Sequence, residues 1–210
     1  MRAVLRRTAA GAAAIVAAGA LAATQGASAH ADDKASTPRT FTSAYTVKAT
    51  PGMVVDNEGN PARGERGARG TFEFRINSDA EVICYRIEFT GVTTPYRSPA
   101  RTATHIHQAS AGEFGPPRLA FPDPVDDGDG VLRSSGCMRG PFTTGVDDAN
   151  GNDTGEGFSL SQIEDDPRSF YADTHTAAFP AGAIRGQLRR VPMGGAADTG
   201  YTAPGGGSGR

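Results

Sequence analysis

Strict alternation of apolar and polar side chains over two neighbouring segments limits this chain more than any other feature. "GTFEFRIN" (70–77) sets Phe72, Phe74 and Ile76 against Thr71, Glu73 and Arg75. "EVICYRIEFTGV" (81–92) sets Ile83, Tyr85, Ile87 and Phe89 against Val82, Cys84, Arg86 and Glu88. Successive side chains of a strand point to opposite faces, so each segment has one apolar face to bury and one to leave outside. A helix would scatter the same residues around its circumference. "FTSAYTVKA" (41–49) repeats the pattern through Phe41, Ser43, Tyr45 and Val47, apart from Ala44. "TATHIHQA", "PPRLAF", "SFYADTHT" and "AIRGQLRRV" are further strand candidates, all bounded by Gly, Pro and Asn turns. Short strands divided by turn-rich loops predict an all-β fold, an antiparallel β-sandwich or a barrel.

One short helix interrupts the strands. "SQIEDDP" places Glu164 three residues after Ser161, a capping-box spacing, and Pro167 stops the helix, so it is expected near 161–167. Two loops, 123–130 and 146–157, are acidic and glycine-rich. In the second, Asp148, Asn150 and Asn152 alternate as in a calcium loop. Asp153 stands where an EF-hand needs glycine and Ser159 where it needs the bidentate glutamate, so an EF-hand is excluded. Solvated turns are the simpler reading of these acids, a looser calcium-stabilised loop the alternative.

The ends predict export. Arg2, Arg6 and Arg7 precede an alanine-rich apolar run, and small residues follow, so residues 1–29 read as a signal peptide cleaved after Ala29 or Ala31. Residues 30–40 read as a polar lead-in and 193–210 as a disordered Gly-rich tail, leaving one domain over 41–192. Removing residues 1–29 takes three arginines from 21 basic residues and nothing from 23 acidic ones, leaving a net charge of about −5. That balance argues against a nucleic-acid partner. No membrane span is expected after cleavage. Cys84 and Cys137 are the only cysteines and, in an oxidising compartment, predict one disulfide. It would close a loop of roughly 54 residues, stabilising by about 4 kcal/mol on chain entropy.

The histidines are the candidate chemistry. Only four occur, and His105 and His107 are one residue apart in "THIHQ". On a strand they share a face, with Ile106 on the core side. His175 in "ADTHTAAFPAG" could join them if its strand is a neighbour. Three neutral imidazoles suit copper, zinc, iron or nickel. Alone, however, an H-x-H pair is weak, and imidazoles hydrogen-bonded to carbonyls or carboxylates are the preferred reading. If cleavage follows Ala29, His30 at the new N-terminus could also chelate copper.

The surrounding residues are more specific. Thr104, His105, Ile106 and His107 followed by Gly112, Gly115 and Pro116, then Asp173, His175 and Thr176 with Pro180, Gly182, Ile184, Arg185, Gly186, Gln187 and Leu188, closely resemble the CHRD domain, the module named for chordin. The resemblance runs from about residue 41 to 191. It implies an extracellular all-β module, in bacteria often a stand-alone exported domain, with no defined reaction. This chain departs from the pattern in its acidic loops, its cysteine pair, and Ala183 where an acid is usual. Arg185 shares a face with Gln187 and is expected to bond carbonyls or Asp173; ligand binding is its alternative role.

The sequence therefore predicts a secreted, non-catalytic binding or envelope structural module, with a Greek-key or Ig-like sandwich or a superoxide-dismutase-like barrel. Its partner would be an extracellular protein or envelope ligand of unknown identity. No nucleophile elbow, H-E-x-x-H helix or phosphate loop is present, and no cofactor is required. The alternative is a mononuclear copper or zinc protein, possibly redox-active, using His105, His107 and His175. Copper,zinc superoxide dismutases share the shape of the motif, but this chain has too few histidines for a dinuclear site.

Overall fold

The structure, a computed structural model, describes residues 34–193. The expected signal peptide, the first part of the lead-in and nearly all of the Gly-rich tail lie outside the described residues. Two antiparallel sheets pack as a sandwich. The larger sheet holds β1 (Ser43–Ala49), β2 (Arg69–Asn77), β3 (Val82–Thr90), β6 (Val125–Asp126), β7 (Val131–Arg139) and β10 (Arg189–Val191). Its order is β10-β1-β2-β3-β7-β6. The smaller sheet holds β4 (Thr104–Gln108), β5 (Pro117–Phe121), β8 (Phe170–Thr174) and β9 (Ile184–Gln187), in the order β5-β4-β8-β9. The sandwich expectation holds; the sheets do not close into a barrel.

Alternation positions the core as the sequence predicts. Phe72, Phe74 and Ile76 of β2 and Ile83, Tyr85, Ile87 and Phe89 of β3 face Ile106, Leu119, Phe121, Phe170 and Ile184 of the smaller sheet, all buried. Phe121 meets the rings of Phe74 and Tyr85 at 5.3 and 5.0 Å, so aromatic contact crosses between the layers. The sheets are stitched at one corner. Thr50 and Arg185 exchange main-chain hydrogen bonds of 2.9 and 3.1 Å. There β9 lies so close to β1 that a Cβ on Gly186 would sit 2.5 Å from the Lys48 carbonyl, which is why glycine occupies this position.

Several expectations are corrected. The strand β7 was not anticipated: Gly136, Ser134 and Ser135 break its alternation. Gly136 has a packing reason, because a Cβ there would lie 2.9 Å from the Tyr85 hydroxyl. The acidic loop 123–130 contributes the two-residue strand β6 at the sheet edge. Helix α1 (Ser161–Asp165) forms, but without the capping box: the N-cap is Leu160, with no side-chain cap. Glu164 instead accepts hydrogen bonds from Thr42, Ser43 and Ser78, tying the helix to the larger sheet. The lead-in is not merely a polar leader. Ala35 donates its N–H to the Cys137 carbonyl at 2.9 Å, and Ala35 and Phe41 pack on Val82, Cys84 and Cys137. Phe41 thus lies on the sheet's outer face rather than with Tyr45 and Val47, because regular alternation begins only at Ser43.

Cys84 and Cys137 are directly opposed in the β3–β7 register and form the predicted disulfide, 53 residues apart in sequence. A disulfide suggests a non-cytoplasmic protein. Among the described residues no helix is long and apolar enough to cross a membrane.

Candidate metal centre

Both faces of β4 are buried, which a strand of sequence THIHQ tolerates only if its polar face is covered. Ile106 enters the core, and His105 and His107 point away from it. On the adjacent β8, Phe170 and Ala172 face the core, so Tyr171 and Asp173 share the histidine face. The register sets His105 opposite Asp173 and His107 opposite Tyr171. His175 follows β8, and its N–H continues the pairing to the Ala103 carbonyl at 2.9 Å. Two X-x-His spacings, His105/His107 and Asp173/His175, therefore meet across one strand pair.

Asp173 is the hub. Its Oδ1 lies 3.2 Å from His107 Nε2 and 3.7 Å from His105 Nδ1, and its Oδ2 lies 3.2 Å from His175 Nε2. One ligand atom from each of the four residues lies within 4.8 Å of the others. The opposite ring nitrogens are all held by main-chain carbonyls: His105 Nε2 by Thr102 at 2.7 Å, His107 Nδ1 by Gly115 at 2.8 Å, and His175 Nδ1 by Pro180 at 2.9 Å. A carbonyl can only accept, so each of these nitrogens carries its proton. In the neutral rings the inward nitrogens are then lone-pair donors aimed at a carboxylate. His105 Nδ1, His107 Nε2 and Asp173 Oδ1 are buried without a hydrogen-bond partner.

With every inward nitrogen unprotonated such a cluster of acceptors is repulsive, and either protons on the imidazoles or a metal cation relieves it. Burial opposes a charge on Asp173, but the imidazoles of His107, His175 and His105 outweigh it and hold the carboxyl well below its usual range. Burial pushes His105 down, so it stays neutral. Burial also disfavours charge on His175, yet the Asp173 carboxylate and the Pro180 carbonyl raise it above the ordinary imidazole value. One proton on His175 pairs Asp173 Oδ2 and still leaves the other three atoms unpartnered. A single divalent ion would satisfy all four. Bonds of about 2.1 Å in a tetrahedron put ligands about 3.4 Å apart, so a pair as wide as 4.8 Å needs to close by about 1.4 Å, shared between its two side chains. Carbonyls holding the outer nitrogens are the usual supports of metal-bound histidine.

A roof covers the site. The segment 109–116 turns back over β4, and Gly115 comes so close that a Cβ there would lie 2.0 Å from the Gln108 carbonyl. That approach delivers the Gly115 carbonyl to His107. The ring of Tyr171 stacks on His107 at 4.8 Å and 7°. Arg185, opposite Asp173 in the β8–β9 register, lies 3.4 Å over the far side of Tyr171. It donates to the carbonyls of Glu113 and Ser110 at 2.6 and 3.3 Å. Burial lowers its pKa, with Tyr171 and Asp173 opposing.

The model of the CHRD domain matches residues 46–188, from within β1 to just past β9. The chain belongs to the CHRD domain family. No curated protein and no solved structure matches it. Within this CHRD domain, the motif residues divide by the face they occupy. Thr104 lies opposite the histidines and donates to Asp123 at 2.9 Å, and Asp123 also accepts the Ala103 N–H beside the Thr102 carbonyl that holds His105. Gln187 donates to the carbonyls of Ala109 and Arg168 at 2.8 and 2.7 Å. Gly112 and Pro116 shape the roof. Gly182 ends the turn that carries Pro180 and packs on Val54. Thr176 is fully buried, its hydroxyl unpartnered beside a bridge to Tyr96.

Arg185 bonds carbonyls, as expected, and not Asp173. From the sequence, Asp173 is a motif residue and a candidate partner of Arg185, not the fourth donor, although Asp-x-His repeats the His-x-His spacing. The calcium-like residues Asp148, Asn150 and Asn152 lie elsewhere. The Asp148 carboxylate accepts the N–H groups of Asn150 and Asn152 at 2.8 and 3.0 Å, closing its own turn. These hydrogen bonds hold its carboxyl below the usual range.

Proposed function

We propose that this CHRD domain is an exported, non-catalytic module that binds one transition-metal ion, zinc or copper(II), through His105, His107, Asp173 and His175. The observation that carries the reading is the convergence of three inward-facing ring nitrogens on one carboxylate, each outer nitrogen fixed by a carbonyl. Imidazole with a carboxylate suits these borderline ions. Four protein donors fill a tetrahedral shell, which favours a structural ion over one that keeps a position open for substrate. Export is supported by the basic, apolar N-terminal sequence and by the disulfide.

Metal analysis of the purified chain tests this, alongside His105→Ala and Asp173→Asn variants. About one equivalent of zinc or copper is expected, with a melting temperature that rises on loading only when all four donors are present. Sub-stoichiometric metal in the wild type, with no thermal response to either ion, sinks the reading.

A further inference from the structure

The four donors do not hold themselves in place, and one motif residue outside the set is connected to His107 by two separate routes. We propose that Arg185 is the positioning residue of the metal centre, fixing the plane and the tautomer of His107; this rests on reading the histidine–aspartate cluster as a metal site. The first route is the stack. Tyr171 has one face against His107 at 4.8 Å and 7° and the other under the Arg185 guanidinium at 3.4 Å. The middle ring is clamped, so His107 cannot rotate without displacing it. The second route is the roof. Arg185 Nη2 donates to the carbonyls of Glu113 and Ser110. Two residues beyond Glu113 is Gly115, whose carbonyl takes the His107 Nδ1 proton.

The residue is nearly fully buried, 3% exposed, and among the described residues no carboxylate forms an ion pair with it. Burying a guanidinium on carbonyls and a ring is costly and needs a compensating role. Only arginine meets both demands. Its planar head stacks on the ring while its edge donates to carbonyls, whereas lysine offers a point charge that can do one or the other. Gln187, two residues on and on the same face, holds the start of the roof through the Ala109 carbonyl. The R-G-Q stretch thereby becomes the support of the centre: Arg185 and Gln187 hold the roof, and Gly186 between them permits the close approach to β1.

The test compares the full-length wild type with Arg185→Lys and Tyr171→Leu. The second variant removes the ring but keeps Arg185 and its roof carbonyls, so it carries the test if the first does not fold. Zinc affinity is read by chelator competition, copper(II) ligation by nitrogen hyperfine structure in electron paramagnetic resonance, and the His107 tautomer by ¹⁵N chemical shifts of the metal-free protein at pH 8. We expect affinity to fall about 10- to 100-fold in both variants, the loss seen for outer supports of metal ligands. One imidazole nitrogen should drop out of the copper spectrum. The metal-free His107 ring should change from Nδ1–H alone to a tautomer mixture. Affinity within twofold of wild type, with an unchanged His107 tautomer, overturns the proposal. If the wild type itself binds neither ion, the metal reading falls. The tautomer shift then decides alone whether Arg185 positions His107.

Discussion

The two outer faces of the sandwich are each buried in one patch, by opposite means. On the larger sheet Val82, Cys84 and Cys137 are sealed by a covalent bond and by the apolar side chains of Ala35 and Phe41. On the smaller sheet His105, His107, Asp173, Tyr171 and Arg185 are sealed by loops that offer main-chain carbonyls. The first patch is complete as it stands. The second carries buried polar atoms without a hydrogen-bond partner, Asp173 Oδ1 among them, and its four side chains could hold a metal ion. A staple between strands already paired in register adds stability but no chemistry. A polar patch held from behind by carbonyls leaves donor atoms that could hold an ion.

The sharpest test of this contrast is Asp173→Asn. It should abolish the metal-dependent stabilisation, about 4 kcal/mol when free ion exceeds the Kd a thousandfold, as read by thermal melts with and without zinc. A full response in the variant would show that Asp173 is not a donor. On the other face, Cys84→Ala with Cys137→Ala should cost about 2–4 kcal/mol in denaturant unfolding while the zinc Kd stays within about twofold. A large change in Kd would mean that the two faces are coupled. Combining the two sets should give losses additive to within about 0.5 kcal/mol.

Acid should separate the faces further. Metal affinity should fall as pH drops, beginning above the ordinary imidazole value of about 6.5 because His175 protonates first. The depressed pKa of His105 delays its own protonation, while the raised pKa of His175 makes it the first ring to compete. Metal release followed by pH titration, with the disulfide pair variant as control, checks this; release at the same pH from wild type and control is expected. The smallest effect belongs to Glu164, away from both patches. Burial raises its pKa, but hydroxyls of Ser43, Ser78 and Thr42 overcome this and leave it lowered. A depressed folded pKa stabilises above the unfolded value and is lost as pH falls through the folded one. Glu164→Gln should therefore cost under about 1 kcal/mol at pH 7 and nothing at pH 2; an equal difference at both would refute the assignment.

Legibility in the sequence followed the regularity of each strand. β2 and β3 were readable because nine-residue runs keep one apolar face. β7 was not, since Gly136 answers to the bulk of Tyr85, a partner that sequence alone does not place. Ser161 and Glu164 have capping spacing, but three hydroxyls on the larger sheet outcompete the helix terminus for the carboxylate. His105, His107 and His175 were legible as a trio because one strand carries two of them and the family motif supplies the third. Asp173 repeats the His-x-His spacing as Asp-x-His, but its place beside the imidazoles needed the β4–β8 register.

All three acceptors that set the histidine tautomers are main-chain oxygens: Thr102, Gly115 and Pro180. No exchange of side chain at those three positions deletes an acceptor. Sequence drift at Thr102 and Pro180 can proceed so long as the chain path is kept, whereas Gly115 is held to glycine by the close Gln108 carbonyl; a paralogue with different residues at the other two positions could present the same donors in the same protonation pattern. Comparison of such relatives by residue identity would miss the shared centre; comparison by loop length and backbone course would find it.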